Sequence, residues 1–382
     1  MDHSTSDVHG HRYQEELVHR LRALGAIRSP EVESAFRSVP RHLALSRFLQ
    51  VTPDHSVSLV AVPRSSPASE DLLRTVYEDT VLVTHVSAED HLPVSSSSRP
   101  SVMAMMLEEL LLGSRMSVLE IGAGTGYNAA LLGRIVGPAG TVTSVEVDQE
   151  IGEAASAALL RLGAGNAEVV IADGFLGHPP AAPYDRIVAT VGVSGIPPQW
   201  TSQLRAGGLV LAPVLHGGLY PLMTFRDTGS NRLVGRPLAC SGFVPAAGRL
   251  HPHPRPWNQW SVEQGPEPLS GSSLPGPLTA LDESRFQDLW FALGVLAPGQ
   301  VQQVTLLSPQ GPLDGMGLVD RGERVFLTPD GLWSGGDGEL VDLLASLVTE
   351  WVELGRPRVS DWGCGLEPDG ALLVPAGWQV TR

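Results

Sequence analysis

Three glycines and three carboxylates carry the first chemical signal in this 382-residue chain. The run Val118-Leu-Glu-Ile-Gly-Ala-Gly-Thr-Gly-Tyr127 takes a hydrophobic stretch straight into Gly122, Gly124 and Gly126, and helical apolar spacing follows. Glycine removes the side chain, so backbone can close on a ligand, and the start of the next helix adds the positive end of a dipole. Glu146 stands near the end of the next apolar run, where a carboxylate can accept two hydrogen bonds from a ribose diol. Asp173, followed by Gly174, ends the run after that, within reach of an adenine amino group. A lone glycine turn is as readily structural, and Asp173-Gly174 alone is an ordinary turn. Carboxylates at successive strand ends favour a bound nucleoside. Asp185, which opens a fourth run, reads as structural.

These residues need a scaffold, and the apolar pattern supplies one. Ser117–Ile121, Thr141–Val147, Ala167–Ala172, Asp185–Val191 and Gly208–Val214 read as buried strands, with helices at Tyr127–Val136, Gln149–Leu162 and Pro198–Leu204. Such alternation implies a doubly wound parallel sheet covered on both faces, an α/β fold. Two runs around residues 227–231 predict a closing antiparallel hairpin. Upstream, Tyr13–Ala26 and Glu31–Ser38 read as helices, Thr52–Ser69 as a surface loop, and Glu70–Val76 as a short helix. Residues 248–277, rich in Gly, Ser and Pro, read as a linker. The remainder, 278–382, is expected to form a small α+β domain, with helices at Asp282–Leu293 and Glu339–Leu354 and strands at Gln302–Leu307 and Arg324–Thr328. The leucine stripe of Glu339–Leu354 reads as core.

The dinucleotide spacing G-x-G-x-x-G fails, because position 127 is Tyr. G-x-G-x-G behind Glu120 is instead the form found in S-adenosylmethionine (AdoMet) methyltransferases. Further pieces narrow this: Ala35-Phe-Arg-Ser-Val-Pro-Arg41, Tyr77-Glu-Asp79, Asp173-Gly174 with Gly177, Ala182–Ile187, Ile196-Pro197 leading to Gln203-Leu204 and Gly207-Gly208, and Phe243-Val-Pro245. Over residues 13–247 the chain resembles the protein-L-isoaspartate O-methyltransferase family. The resemblance implies a Rossmann-like AdoMet domain over 1–247 that methylates peptide carboxylates, with AdoMet held by Glu120, Gly122, Gly124, Gly126, Tyr127, Glu146, Asp173 and Gly174.

One segment departs from that family. Its substrate loop reads Thr-Ile-Ser-x-Pro, whereas here Ser96-Ser-Ser-Arg-Pro100 precedes a helix. Pro100 suits a first helical position, since its missing N–H would be unpaired there. Four serines can also be mere filler, but this run abuts a well-formed apolar helix. Ser98 aligns with the family's substrate-contacting serine, with Ser97 as its assistant, and Arg99, Val191 and Gly192 are expected to line the substrate side. The family's Gly-x-Gly-Gln is replaced by Glu89-Asp-His-Leu-Pro93. The serine run and the C-terminal extension resemble a branch associated with ribosomal peptide natural products, whose members methylate an aspartate of a modified, often macrocyclic peptide that then collapses to aspartimide. Repair of isoaspartyl damage in proteins is the alternative.

A carboxylate needs no general base to attack a sulfonium methyl, so the absence of a catalytic dyad fits an enzyme acting by orientation and water exclusion. Composition narrows the partners. The chain has no lysine, 26 arginines and 41 acids. A broad nucleic-acid or acidic-membrane surface is therefore not expected. Residues 248–382 hold 8 arginines against 17 acids, and residues 1–247 hold 18 against 24, so a basic segment of a peptide substrate is a partner for the extension. Two distant cysteines fit a reducing compartment, and the polar start shows no signal peptide, so a cytoplasmic protein is expected. Gly192-Val-Ser-Gly195 lacks the final glycine of a nucleophile elbow. His251 and His253 read as linker rather than metal ligands, His9 and His11 as an irregular terminus, and Cys364 as an inert thiol in a turn. No metal is expected. A peptide-binding module with a vestigial AdoMet pocket is the non-enzymatic reading, opposed by the intact glycine turn and Glu146.

Overall fold

Apolar strands alternating with helices build the centre of a nine-stranded sheet. The computed structural model describes every residue except 1–3, 52–56, 64–67, 90, 229–232, 253–256, 264–268, 273–275, 279–280, 336–337 and 382. Across the sheet the strands run Ala167–Ile171, Thr141–Glu146, Ser117–Ile121, Tyr184–Ala189, Leu204–Pro213, Tyr220–Asp227, Leu233–Ser241, Trp362–Asp369 and Leu372–Val380. The first five pair in parallel and every later pairing is antiparallel. From Ser117–Ile121 the chain winds outward first to one side and then to the other. That reversal leaves a crevice at the carboxyl ends of the strands.

Both faces are covered. Helices Ser4–Ala23, Pro30–Ser38, Pro100–Glu109 and Tyr127–Val136 meet one face in a core that includes Leu17, Phe36, Met103, Leu131 and Leu211. The other face buries Phe175, Ile187, Trp200, Val210 and Phe225 together with Leu250, Cys364 and Leu372. A second, six-stranded sheet runs Trp257–Ser261, Val301–Ser308, Gly311–Asp320, Glu323–Leu327, Leu332–Gly335 and Ser270–Ser272. Helices Glu283–Leu296 and Glu339–Glu353 pack with it through Phe291, Leu293, Leu344 and Trp351. Among the described residues no helix is long and apolar enough to cross a membrane.

Several expectations are corrected. The stretch read as a linker contributes Trp257–Ser261 and Ser270–Ser272, the two edges of the second sheet, because their partners at Val301–Ser308 and Leu332–Gly335 lie far along the chain. The C-terminal region is not confined to its own sheet. Its last hairpin, Trp362–Val380, returns to the first sheet through the pairing of Gly235 with Cys364. Gly235 permits it, since a Cβ there would lie 2.6 Å from the Cys364 sulfur. Cys364 thus sits buried in a strand rather than in a turn. Within the expected loop 52–69, Val57–Ala61 is a strand paired with Arg47–Val51, anchored by buried Phe48. His9 and His11 belong to the helix Ser4–Ala23, and Leu24 lies beyond its end, 62% exposed. His253, Asp90 and the 229–231 part of the hairpin turn lie outside the described residues.

One buried cation fastens the N-terminal helices to the crevice. Arg41 is fully buried and donates to the carbonyls of Val76, Glu78, Thr80, Ser97 and Ser98 at 2.8–3.3 Å, and to the Ser97 hydroxyl at 3.3 Å. Burial pushes its pKa down to about 10, so it remains protonated at neutral pH. Nearby, an Asp79 carboxylate oxygen accepts from the Ser101 N–H at 2.8 Å and so caps the helix that Pro100 begins. Arg41→Met leaves several buried carbonyls unpaired, and the urea unfolding free energy should fall by roughly 3 kcal/mol or more. Arg41→Lys should recover only part of it, because an ammonium offers three donors in place of a five-donor fork.

Candidate active site

The crevice opens into a cavity of about 600 Å³, within the usual range of small-molecule sites, roughly 300–1,000 Å³. Strand ends supply one wall: Ile121–Thr125, Val145–Asp148, Asp173-Gly174 and Thr190-Val191. Ser95–Ser98 supply a second wall, Val244–Ala247 with Leu250 and His251 a third, and Met103 and Met106 an apolar floor.

The glycine turn is held by backbone demands that only glycine meets. Gly122, Gly124 and Gly126 have φ of +94°, +53° and +74°. A Cβ on Gly122 would lie 2.8 Å from the Thr190 hydroxyl, and one on Gly124 would lie 3.2 Å from the Ser96 carbonyl. Removing those side chains lets the turn close on the fourth strand and on the serine strand at once. Gly126 caps the helix Tyr127–Val136 from the left-handed region and does not line the cavity.

The two glutamates play different parts. Glu146 is 9% exposed and lines the cavity. One of its oxygens accepts from Gly124 N–H at 3.1 Å, the other from Val147 and Asp148 N–H at 3.0 and 3.2 Å. It therefore draws the glycine turn towards the second strand while keeping lone pairs for a diol. Glu120, expected among the cofactor contacts, does not reach the cavity. It is fully buried behind the turn, where Asn128 and Ser144 donate to its carboxylate. Burial pushes its pKa up to about 7, against the lowering effect of those two bonds.

Other expected residues are distributed as follows. Asp173 lines the cavity, but one oxygen takes the Phe175 N–H and the other an Arg249 guanidinium at 2.8 Å, which lies over the Phe175 ring. The Arg249 and Phe175 bonds hold its pKa below the usual value even though partial burial raises it. Tyr127, Gly174 and Val191 line the cavity. Gly192 does not; it packs against Tyr220, whose ring would lie 2.6 Å from a Cβ there. Ser97 and Ser98 both face the cavity, Ser97 with its hydroxyl engaged by Arg41. Arg99 stands outside it, exposed at the start of the helix Pro100–Glu109. Asp185 is structural, accepting from Ser117 N–H and pairing with Arg205. Thr190, Ser95 and Arg249 were not anticipated, and the Phe243-Val-Pro245 match was the one signal for the third wall. His251 was read as linker, yet it is buried at the cavity with its Nε2 2.7 Å from the Tyr220 hydroxyl. Among the described residues no cluster of His, Cys, Asp or Glu could hold a metal.

The family model for protein-L-isoaspartate(D-aspartate) O-methyltransferase matches residues 52–251, a little over half of the sequence. The chain belongs to that family. It is 44% identical to the protein-L-isoaspartate O-methyltransferase of Thermotoga maritima over 163 residues, 42% of this chain and half the length of that one. With the Methanopyrus kandleri protein of the same name it shares 33% identity over 241 residues, 62% of this chain and 92% of its relative. A solved protein-L-isoaspartate O-methyltransferase superposes over 95% of this chain and 99% of its own with a TM-score of 0.55 at 27% identity. The C-terminal region therefore does not by itself set the chain apart from the family.

Family membership makes this an AdoMet-dependent carboxyl O-methyltransferase, and its cavity fits the cofactor. Glu146 would offer acceptors to the ribose of the cofactor, Asp173 stands at the third strand end, and the side-chain-free turn leaves room beside both. Two outcomes follow. Glu146→Gln loses charge-assisted bonds worth about 1.5–3 kcal/mol, so AdoMet affinity by calorimetry should drop roughly 10- to 100-fold. Glu120 holds a proton in the fold that the unfolded chain, with its ordinary value of 4.5, has released. Its contribution to stability therefore declines as pH rises from about 4.5 to about 7 and is flat above. Glu120→Gln should remove that decline, roughly 3 kcal/mol across the window, as measured by the difference between wild-type and variant urea unfolding at each pH.

Proposed function

We propose that the protein transfers a methyl group from AdoMet to the free carboxylate of isoaspartyl residues in proteins and peptides. The observation that carries this reading is the contact between glycine turn and serine strand. Gly124 approaches the Ser96 carbonyl so closely that cofactor wall and acceptor wall face one cavity. The bound cofactor supplies an electrophilic methyl. The chain's own residues supply position. Ser98 orients the acceptor carboxylate with its hydroxyl, and Arg41 holds the Ser97 and Ser98 carbonyls so that the strand cannot drift. Met103, Met106, Val145 and Leu250 keep water out of the cavity. No proton need be removed, since the acceptor is already an anion, and alignment with desolvation accounts for catalysis.

A second reading is favoured by the hairpin Leu82–Val86 and Pro93–Ser97, which carries the described residues of the replaced segment, Glu89 and His91 to Pro93, on the chain that leads into the serine wall. In that reading the acceptor is an aspartate of a ribosomally made, modified and macrocyclic peptide, and the ester closes to aspartimide when the following backbone amide nitrogen attacks the ester carbonyl and the C–O bond breaks, methanol leaving with the amide proton. The acidic excess of residues 248–382 supports a basic segment in such a peptide.

Mass spectrometry after incubation with AdoMet separates the two. Isoaspartyl peptides should gain one methyl group, whereas matched linear and cyclised aspartyl peptides should not. Methylation of the cyclised aspartyl peptide alone, followed by net loss of water from the peptide, would replace the first reading by the second. Ser98→Ala should lower kcat about tenfold while AdoMet affinity holds. Unchanged kcat would remove Ser98 from this role.

A further inference from the structure

A second cavity of about 430 Å³ opens beside the first, and Ser96, Ser98, Thr190 and Val244 belong to both walls. The shared residues set this second space next to Ser98, within reach of the residue adjoining a carboxylate held there. Its lining is chemically uneven. Val81 and Val83 from the hairpin, Val102 from the helix Pro100–Glu109, and Phe243 make an apolar surface. Beside the hydroxyls of Ser96, Ser98, Thr190 and Ser241, two longer polar side chains line it. Arg99 is exposed and makes no ion pair among the described residues. Gln287 is half-buried on the helix Glu283–Leu296, and its carboxamide has no hydrogen-bond partner among the described residues. A carboxamide presents a donor and an acceptor side by side, the complement of a peptide unit.

We propose that this second cavity is a subsite for the residue adjoining the methylated one, taking an apolar side chain against Val81, Val83, Val102 and Phe243 while Gln287 hydrogen-bonds the substrate backbone. The inference rests on the peptide carboxyl methyltransferase reading above and adds a selection rule to it. An apolar side chain gains by leaving water, whereas a lysine would meet the Arg99 charge. Selection then depends on the C-terminal region, because Gln287 reaches the subsite from a helix of the second core.

The test uses the full-length protein and short peptides carrying one isoaspartyl or aspartyl acceptor, with Leu, Ser or Lys placed in turn on its amino and carboxyl sides. On one of the two sides, kcat/KM should favour Leu over Ser by about five- to tenfold and place Lys lowest. Gln287→Ala should raise the peptide KM by about two- to tenfold without moving AdoMet affinity. Arg99→Gln should narrow the gap between the Lys and Ser peptides. Methylation that is indifferent to the neighbour on both sides and unaltered by Gln287→Ala would overturn the subsite and leave the methyltransferase reading standing. Methylation of no peptide at all, in a protein that still binds AdoMet, would overturn that reading and the subsite with it.

Discussion

A guanidinium without a carboxylate partner is the constraint on which the active site depends. The serine strand ends at Ser97 and Pro100 begins a helix, which leaves the Ser97 and Ser98 carbonyls at the turn between the two. The end of the helix Glu70–Val76 and the turn after it present further carbonyls, at Val76, Glu78 and Thr80. Arg41 meets both at once, reaching acceptors from 35 to 57 residues further along the chain through five carbonyls and the Ser97 hydroxyl. Carbonyl dipoles in place of a carboxylate leave the cation charged at neutral pH although burial lowers its pKa. Its planar fork can satisfy several acceptors whose positions are thereby fixed relative to one another. The wall that faces the acceptor is thus set from behind, by a residue that never enters the cavity.

Two glutamates of one sheet show why the same residue type came to two roles. Both stand on parallel strands, and both looked like ligands for a nucleoside. Glu146 ends its strand, where three N–H groups face its oxygens and the cavity begins. Glu120 lies one residue short of its strand's end, so its side chain points beneath the turn and meets Asn128 and Ser144 instead. Depth along the strands decides this: Glu120 is level with Ser144, two residues before Glu146 on the same face, so it stays inside the sheet while Glu146 reaches the cavity.

What could be read from the sequence was local. The five parallel strands, the glycine turn, Glu146 and the cap-like Pro100 announce themselves within a few residues, through apolar runs, spacing and backbone chemistry. The hairpin Trp362–Val380 does not, because what makes it part of the first sheet is a gap beside Gly235, more than a hundred residues earlier. The strands at 257–261 and 270–272 are hidden for the same reason, their Gly, Ser and Pro neighbours being those of a linker and their partners remote. His251 shared that disguise. Its ring is buried only because Tyr220 and Gly192 pack where it lands.

The return of the chain to the first sheet also determines what the C-terminal region can do. Its contact with the loop after Val214 is apolar and close. His216 donates to the Phe291 carbonyl between the Phe291 and Trp378 rings, and Trp290 donates to the Gly217 carbonyl. Burial pushes His216 down to about 4, so it stays neutral and adds no charge to the junction. A Cβ on Gly218 would lie 2.1 Å from the Gln303 nitrogen, which leaves no slack between the two sheets. Helix Glu283–Leu296 is therefore clamped at its Trp290–Phe291 turn and again through the hairpin that follows Val359, whose N–H bonds to Asp288. Gln287 immediately precedes the second of these fixed points, Asp288. A helix position held that way presents its side chain to a substrate from a fixed backbone, so only the side-chain rotamer remains to be ordered on binding.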